Sequence, residues 1–213
     1  MATRQSRWVG KIVKESLAPK LKELGFKRRG RAWNRVTENF VQVIDVQSSR
    51  YPGYFSGSFT INLGIFSPKI YELRYDEKPP AFISSIQQLI SIRVSTDDVG
   101  FSEIWWDVNL LTDLSALGAE VLSRIDAMAL PFFVRFDSLE KVDEWWDEDL
   151  KGSRPGAATP GGLLDHALIK FVRNDRAGVQ KIVSEYFETR QVGEYWDDIF
   201  KSVLSRVGVD VPG

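Results

Sequence analysis

The residues predict an α+β fold: an antiparallel β-sheet of about five strands packed on helices, followed by a helical C-terminal appendage. Three observations carry this. Between Arg31 and Val108 the apolar residues recur with period two, most cleanly in Phe59-Thr60-Ile61-Asn62-Leu63-Gly64-Ile65, as in a strand with one buried face. Beyond Val108 the apolar spacing becomes three and four, the helical period. Strands gathered first and helices gathered after do not fit a doubly wound sheet, where the two alternate.

Lys11–Leu24 reads as an amphipathic helix with Val13, Leu17, Leu21 and Leu24 on one face. Gly25 stands where a left-handed residue ends a helix, and Phe26 where it packs back on Leu21 in a Schellman ending. Pro19 lacks an N–H and crowds the carbonyl of Glu15, so a kink or break is expected there. Strands are expected over Arg31–Val36, Asn39–Gln47, Ser58–Phe66, Leu89–Ser95 and Glu103–Val108. Thr37-Glu38 is short enough for a hairpin and Tyr51-Pro52-Gly53-Tyr54 is a turn by composition, which makes neighbouring strands antiparallel. Ser67–Gln88 is an insertion containing Pro79-Pro80, with a short helix over Ala81–Gln88.

The helical part opens at Thr112 or Asp113, either of which can cap a helix striped by Leu114, Leu117, Val121, Ile125 and Met128 and stopped by Pro131. Asp137 with Glu140 resembles a capping box for a helix to about Leu150. The run from Gly152 to Gly162, rich in Gly, Pro, Ala and Ser, is the clearest linker. Three helices follow it, over Leu163–Arg173, Ala177–Thr189 and Gly193–Val207. The domain reading is therefore 1–151 for the α+β domain, 152–162 for the linker and 163–213 for the appendage. About fifty residues bury little surface alone, so the appendage is expected to dock on the main domain.

Composition narrows the chemistry. The chain has 213 residues, no cysteine and one histidine, which excludes thiol chemistry, a Cys-ligated metal and a multi-His metal site. No metal or other cofactor is expected. A formal net charge of -1 leaves no global footprint for nucleic acid. Met1–Pro19 has no continuous apolar stretch, which argues against a secretory signal, and no segment approaches the ~20 apolar residues of a membrane span. Freedom from cysteine fits a cytoplasmic protein. No Walker loop, dinucleotide fingerprint, nucleophile elbow or zinc spacing occurs.

A set of short motifs does stand out. Gly25-Phe26-Lys27-Arg28, Trp33-Asn34-Arg35, Val46-Gln47, the Phe59–Gly64 block and Trp105-Trp106 together resemble the bacterial family 4304 of domains of unknown function, over roughly residues 11–150. The resemblance implies a helix-led antiparallel α+β domain. It implies no activity, cofactor or catalytic residue.

Three surfaces are candidates for function. If Phe59, Ile61, Leu63 and Ile65 face the core, parity sends Thr60 and Asn62 to the opposite face, along with Asp45 and Gln47, Ser91, Arg93 and Ser95, and Glu103, Trp105 and Asp107. Asp45, Gln47, Asn62, Arg93, Trp105 and Asp107 then form a hydrogen-bonding surface with one aromatic platform, suited to a ligand or a protein partner. The plainer reading is a solvated or helix-covered sheet face stabilised by cross-strand pairs. The second surface is basic: Lys20, Lys22, Lys27, Arg28, Arg29, Arg31 and Arg35 interleave with Phe26 and Trp33 against one acid, Glu23. It suits a phosphate backbone or, more plainly, a helix C-terminus and a solvated sheet edge.

The third is the acidic stretch Asp137–Asp149, where Asp143 and Asp147 share a helix face beside Trp145-Trp146. Asp143, Asp147 and Trp145 would meet a basic partner, and the two aspartates could also hold a divalent ion. The plainer reading buries Leu139, Val142 and Trp146 and leaves the acids in solvent. His166 is read as structural or surface, and Asp97-Asp98 as a turn. The function expected is non-catalytic binding of a protein partner, with no role in a membrane. The alternatives are a carboxylate-based hydrolase or nucleotide-processing enzyme using Asp45, Glu103 and Asp107, and a nucleic-acid module using Lys20–Arg35.

Overall fold

The computed structural model describes residues 4–49, 56–84, 89–96, 102–149, 159–189 and 195–211. The turns expected at Tyr51–Tyr54 and Asp97-Asp98 lie outside them. The first helical segment comprises α1 (Arg4–Ile12), a π-helical turn (Val13–Leu17) and α2 (Ala18–Glu23). It starts before Lys11 and passes Pro19 without breaking. The π turn directly before the proline contains Glu15, and the Ala18 N–H bonds to the carbonyl of Val13, five residues back. Widening this turn relieves the clash that a proline ring imposes on the carbonyl four residues earlier. Gly25 takes φ 84° and the Phe26 N–H reaches the Leu21 carbonyl at 2.9 Å, a Schellman ending.

Six strands follow: β1 (Lys27–Arg29), β2 (Ala32–Val36), β3 (Val41–Ser48), β4 (Ser56–Phe66), β5 (Ile90–Arg93) and β6 (Trp106–Asn109). All pair antiparallel in the order β1-β2-β3-β4-β5, with β6 also on β4. The basic run contributes a strand that periodicity does not reveal, because all three residues of β1 are exposed. Phe59, Ile61, Leu63 and Ile65 are fully buried on one face of β4, in register with Trp106, Val46, Ile44 and Ile90. Helix α1 packs on β4, β6 and α4 (Leu114–Arg124), and supplies Val9 and Ile12 to that core. The Asp113 carboxylate caps α4 by accepting from the Ser115 and Ala116 N–H groups. Pro131 does not end this helix either. A second π turn (Ile125–Ala129) precedes it and leads into α5 (Leu130–Arg135).

The chain forms two compact units, one of Met1–Phe66 with Pro80–Arg135 and one of Ser67–Pro79 with Phe136–Gly213. The first holds the sheet with α1, α2, α4 and α5. The second holds α3 (Pro68–Tyr75), α6 (Leu139–Asp149), α7 (Pro160–Val172), α8 (Arg176–Thr189) and α9 (Tyr195–Arg206). The insertion after β4 is therefore helical at Pro68–Tyr75, and not over Ala81–Gln88: residues 81–84 are non-helical and 85–88 lie outside the described residues. Ser138, not Asp137, caps α6, its hydroxyl accepting from the Lys141 N–H. Thr159 caps α7, which already includes Pro160-Gly161-Gly162; the rest of the expected linker, 152–158, lies outside the described residues. No described helix is long and apolar enough to cross a membrane.

Close packing at Gly118 on α4 gives a test of the helix pair in the first unit. A Cβ built at Gly118 would lie 2.9 Å from Ser16 Cβ, inside van der Waals contact. Gly118→Ala is expected to lower urea-unfolding stability by about 1–3 kcal/mol, the usual cost of overpacking. Ser16→Gly in the same chain should recover most of the loss.

Candidate functional site

On the sheet, register brings the polar candidates together. Asp45, Asn62 and Arg93 stand directly opposite one another on β3, β4 and β5, with Gln47 opposite Thr60 one step along. Directly opposed residues of an antiparallel pair share a face. The Asn62 carboxamide donates to Gln47 Oε1 at 3.0 Å and to Asp45 Oδ2 at 3.4 Å. Arg93 pairs with Glu103 at 2.6 Å, and its guanidinium lies 5.6 Å from the Trp105 ring. Trp105 is exposed, whereas Trp106 turns inward and donates to Glu120. Asp107 sits opposite Ser58 on the same face as Asn62.

This face is only partly open. Thr60 and Asn62 are buried, and Asn34 clamps both the N–H and the carbonyl of Ile83 across one end of it. Asp45 is half-buried, and burial raises its pKa above the ordinary carboxylate range, offset in part by the Asn62 hydrogen bond and the Arg31 charge. No described ammonium or guanidinium lies within ion-pairing distance of it.

Three of the seven cations of the basic stretch are spent inside the first unit, while Lys22, Lys27, Arg28 and Arg29 are exposed. Lys20 pairs with Asp126, Arg31 donates to Ser6 and Ser48, and Arg35 donates to Gln42 and the Leu24 carbonyl.

The acidic helix departs most from expectation. Val142 and Trp146 are buried as the stripe requires, yet Asp143 is fully buried too, which corrects its placement on a solvated, partner-facing side. Its carboxylate accepts from His166 Nε2 at 2.8 Å, from Lys170 Nζ at 3.0 Å and from the Arg173 guanidinium. Asp147, about half exposed, takes Lys170 at 2.6 Å and lies 3.4 Å from His166 Nε2. Trp145 packs edge-on against Phe136, ring centroids 5.7 Å apart. Gly178 on α8 makes room for this arrangement, since a Cβ there would lie 2.9 Å from Lys170 Cδ.

Burial works against the Asp143 charge, but hydrogen bonds from His166, Lys170 and Arg173 outweigh it and hold the carboxyl below its ordinary range. Lys170 is likewise desolvated, and its two aspartate partners nevertheless raise its pKa. The donor atoms of Asp143, Asp147 and His166 lie within 4.8 Å of one another, the spacing of a metal-ligand set, with the Lys170 ammonium seated on both carboxylates.

Sequence reading put His166 among structural residues and passed over Lys170 and Arg173. The signal was there in the spacing. Glu140, Asp143 and Asp147 step by three and four along α6, and His166, Lys170 and Arg173 step by four and three along α7. Also missed was a second, partly buried pair, Arg74 of α3 with Asp165 of α7 at 2.5 Å. Burial dominates here: despite Arg74, Asp165 is pushed up to about 6.

Two outcomes follow from these networks. Asp143→Ala is expected to cost about 3 kcal/mol in chemical denaturation, because it removes the buried carboxylate shared by His166, Lys170 and Arg173 and leaves the two cations only their weaker or more exposed partners. The Asp165 carboxyl keeps its proton up to about 6 when folded and only to about 3.8 when unfolded, so the folded state binds more protons between these values. Stability from this group is therefore full below about 3.8 and falls as pH rises toward 6, by at most about 3 kcal/mol. Asp165→Asn should flatten that slope in a pH series of thermal melts; an unchanged slope would refute the assignment.

The match of a family model adds to this geometry. The family described as Domain of unknown function (DUF4304) matches residues 17–135, ending where the first compact unit ends. No curated protein and no solved structure matches the chain. The match spans more than half of the sequence and takes in the sheet, α2, α4 and α5, leaving α6–α9 outside it. The chain belongs to the DUF4304 family, a domain of unknown function.

Proposed function

We propose that this chain is a non-catalytic binding protein of the bacterial cytoplasm, and that the polar face of its sheet receives a cationic segment of a protein partner. The observation that carries this reading is Asp45, a half-buried carboxylate with no described cation within ion-pairing distance. A desolvated carboxylate is costly unless a cation or several donors meet it. Among the described residues its hydrogen-bond partner is the Asn62 amide at 3.4 Å, and the Arg31 charge acts on it only from beyond ion-pairing distance. Beside it Gln47 and Asn62 offer further amide groups and Asp107 a second carboxylate, while Arg93, set between Glu103 and the exposed Trp105, shows that this face accommodates a guanidinium. The absence of cysteine fits a cytoplasmic protein.

The enzymatic alternative is less well supported. Asp45 and Asp107 flank β4 opposite Asn62 and Ser58, four residues apart, or roughly 13 Å along the strand. Catalytic carboxylate pairs stand closer, at roughly 3 Å in aspartic proteases and roughly 5–9.5 Å in glycoside hydrolases. Glu103 is already paired with Arg93. The nucleic-acid alternative loses Lys20, Arg31 and Arg35 to internal contacts.

The test uses N-acetyl-arginine amide as a probe, followed by the side-chain amide resonances of Gln47 and Asn62. Arginine amide should shift them, N-acetyl-glutamate should not, and added salt should weaken the effect. Asp45→Asn should abolish the shift while leaving thermal stability equal or higher, since burial opposes the Asp45 charge. Equal shifts in Asp45→Asn would overturn the proposal.

A further inference from the structure

A cation already sits in the helical unit, supplied by the chain itself. Lys170 Nζ lies 3.0 Å from Asp143 Oδ1 and 2.6 Å from Asp147 Oδ2, and His166 Nε2 approaches the same two side chains at 2.8 and 3.4 Å. Nitrogen and oxygen ligands on one tetrahedral Zn²⁺ at about 2.0–2.2 Å stand roughly 3.4 Å apart. The observed separations, none above 4.8 Å, need only small adjustments to meet that spacing. We propose that Asp143, Asp147 and His166 form a Zn²⁺ site in which the metal and the Lys170 ammonium compete for the same two carboxylates.

Three further features fit the exchange. Arg173 donates to Asp143 Oδ2, which leaves Oδ1 for a metal and holds the carboxylate in place, as partners behind metal ligands commonly do. Lys170 has somewhere to go. Asp175 Oδ2 lies 3.7 Å from its Nζ, and both residues line an open cleft of about 440 Å³ with Asp147, Lys181 and Glu185. Asp147 is about half exposed, so a hydrated ion can reach the cluster from that cleft. Coordination through Nε2 places the ring proton on Nδ1, which is buried without a partner among the described residues. That cost, with the displacement of Lys170, keeps zinc binding weak in the native chain. The metal would carry three protein ligands and a water, with no change of oxidation state.

The test exploits composition. His166 is the single histidine and the chain has no cysteine, so a change at an imidazole ring reports this site alone. Full-length protein titrated with ZnCl₂ should show a shifted His166 ring resonance and one zinc per chain by calorimetry. Lys170→Gln should bind at least about tenfold more tightly, and Asp147→Asn at least about tenfold more weakly. MgCl₂ should leave the ring unmoved. An unmoved ring at tenfold excess zinc in the native chain, or affinity in a folded Lys170→Gln no higher than native, would overturn the proposal. If circular dichroism shows that Lys170→Gln does not fold, the native and Asp147→Asn titrations decide by themselves: equal ring shifts in both overturn it.

Discussion

Strand β4 governs the first unit, because it is hydrogen-bonded to three other strands. β3 occupies one edge along Phe59–Phe66, while β6 and β5 divide the other edge at Ser56–Phe59 and Asn62–Ile65. The registers of β3, β5 and β6 are therefore set against the same eleven residues. A slip of one residue would turn Ile61, Leu63 and Ile65 away from the core and bring Thr60 and Asn62 into it. Burial of the apolar row forbids that, and so also fixes where Asp45, Asn62 and Arg93 meet on the opposite face.

Polarity takes a different form in the helical unit. Asp143 is as buried as the apolar residues around it, and it is retained as a charge because three donors from α7 converge on it. Such an arrangement contributes less to net stability than to choice of partner and register, since an apolar pair of similar shape would avoid the desolvation cost. Here the complementary steps of Glu140, Asp143 and Asp147 against His166, Lys170 and Arg173 accept only one pairing of α6 with α7. Arg74 ties α3 into the same unit through Asp165, and Arg206 of α9 donates to the carbonyls of Leu73 and Arg74 at its end.

Both long helical segments of the first unit solve the same backbone problem in the same way. Pro19 and Pro131 each lie two residues beyond a π turn, Val13–Leu17 in one case and Ile125–Ala129 in the other. In each, the carbonyl four residues before the proline, of Glu15 or Ala127, belongs to the widened turn. A proline in a helix is read as a stop because its ring strikes that carbonyl and its missing N–H leaves it unbonded. Widening the turn relieves the clash and lets the helical segment continue, with Leu17 and Leu21 in one case and Ile125 and Phe133 in the other still buried.

Patterns local in the chain were legible without coordinates. Alternation in Phe59–Ile65 set the inward and outward faces of β4, the Gly25-Phe26 ending closed the first helix, and the stripe of Leu114, Val121 and Ile125 marked the next helical segment, because each depends on neighbours within a few residues. Strand β1 was hidden, since Lys27–Arg29 is exposed throughout and its pairing with β2 carries no apolar signature. So was α3, a short helix whose partners on α7 and α9 lie some ninety residues or more along the chain. The acid-rich face of α6 looked solvated because its one cation, Lys141, pairs with Asp137, and the groups that balance Asp143 are His166, Lys170 and Arg173, distant in sequence. Sequence alone thus determined the faces of individual elements and those ends that a local motif marks, such as Gly25-Phe26 and Asp113. Only the tertiary structure decided which charges are buried, because the cost of burying a charge is set by groups brought to it from elsewhere in the chain.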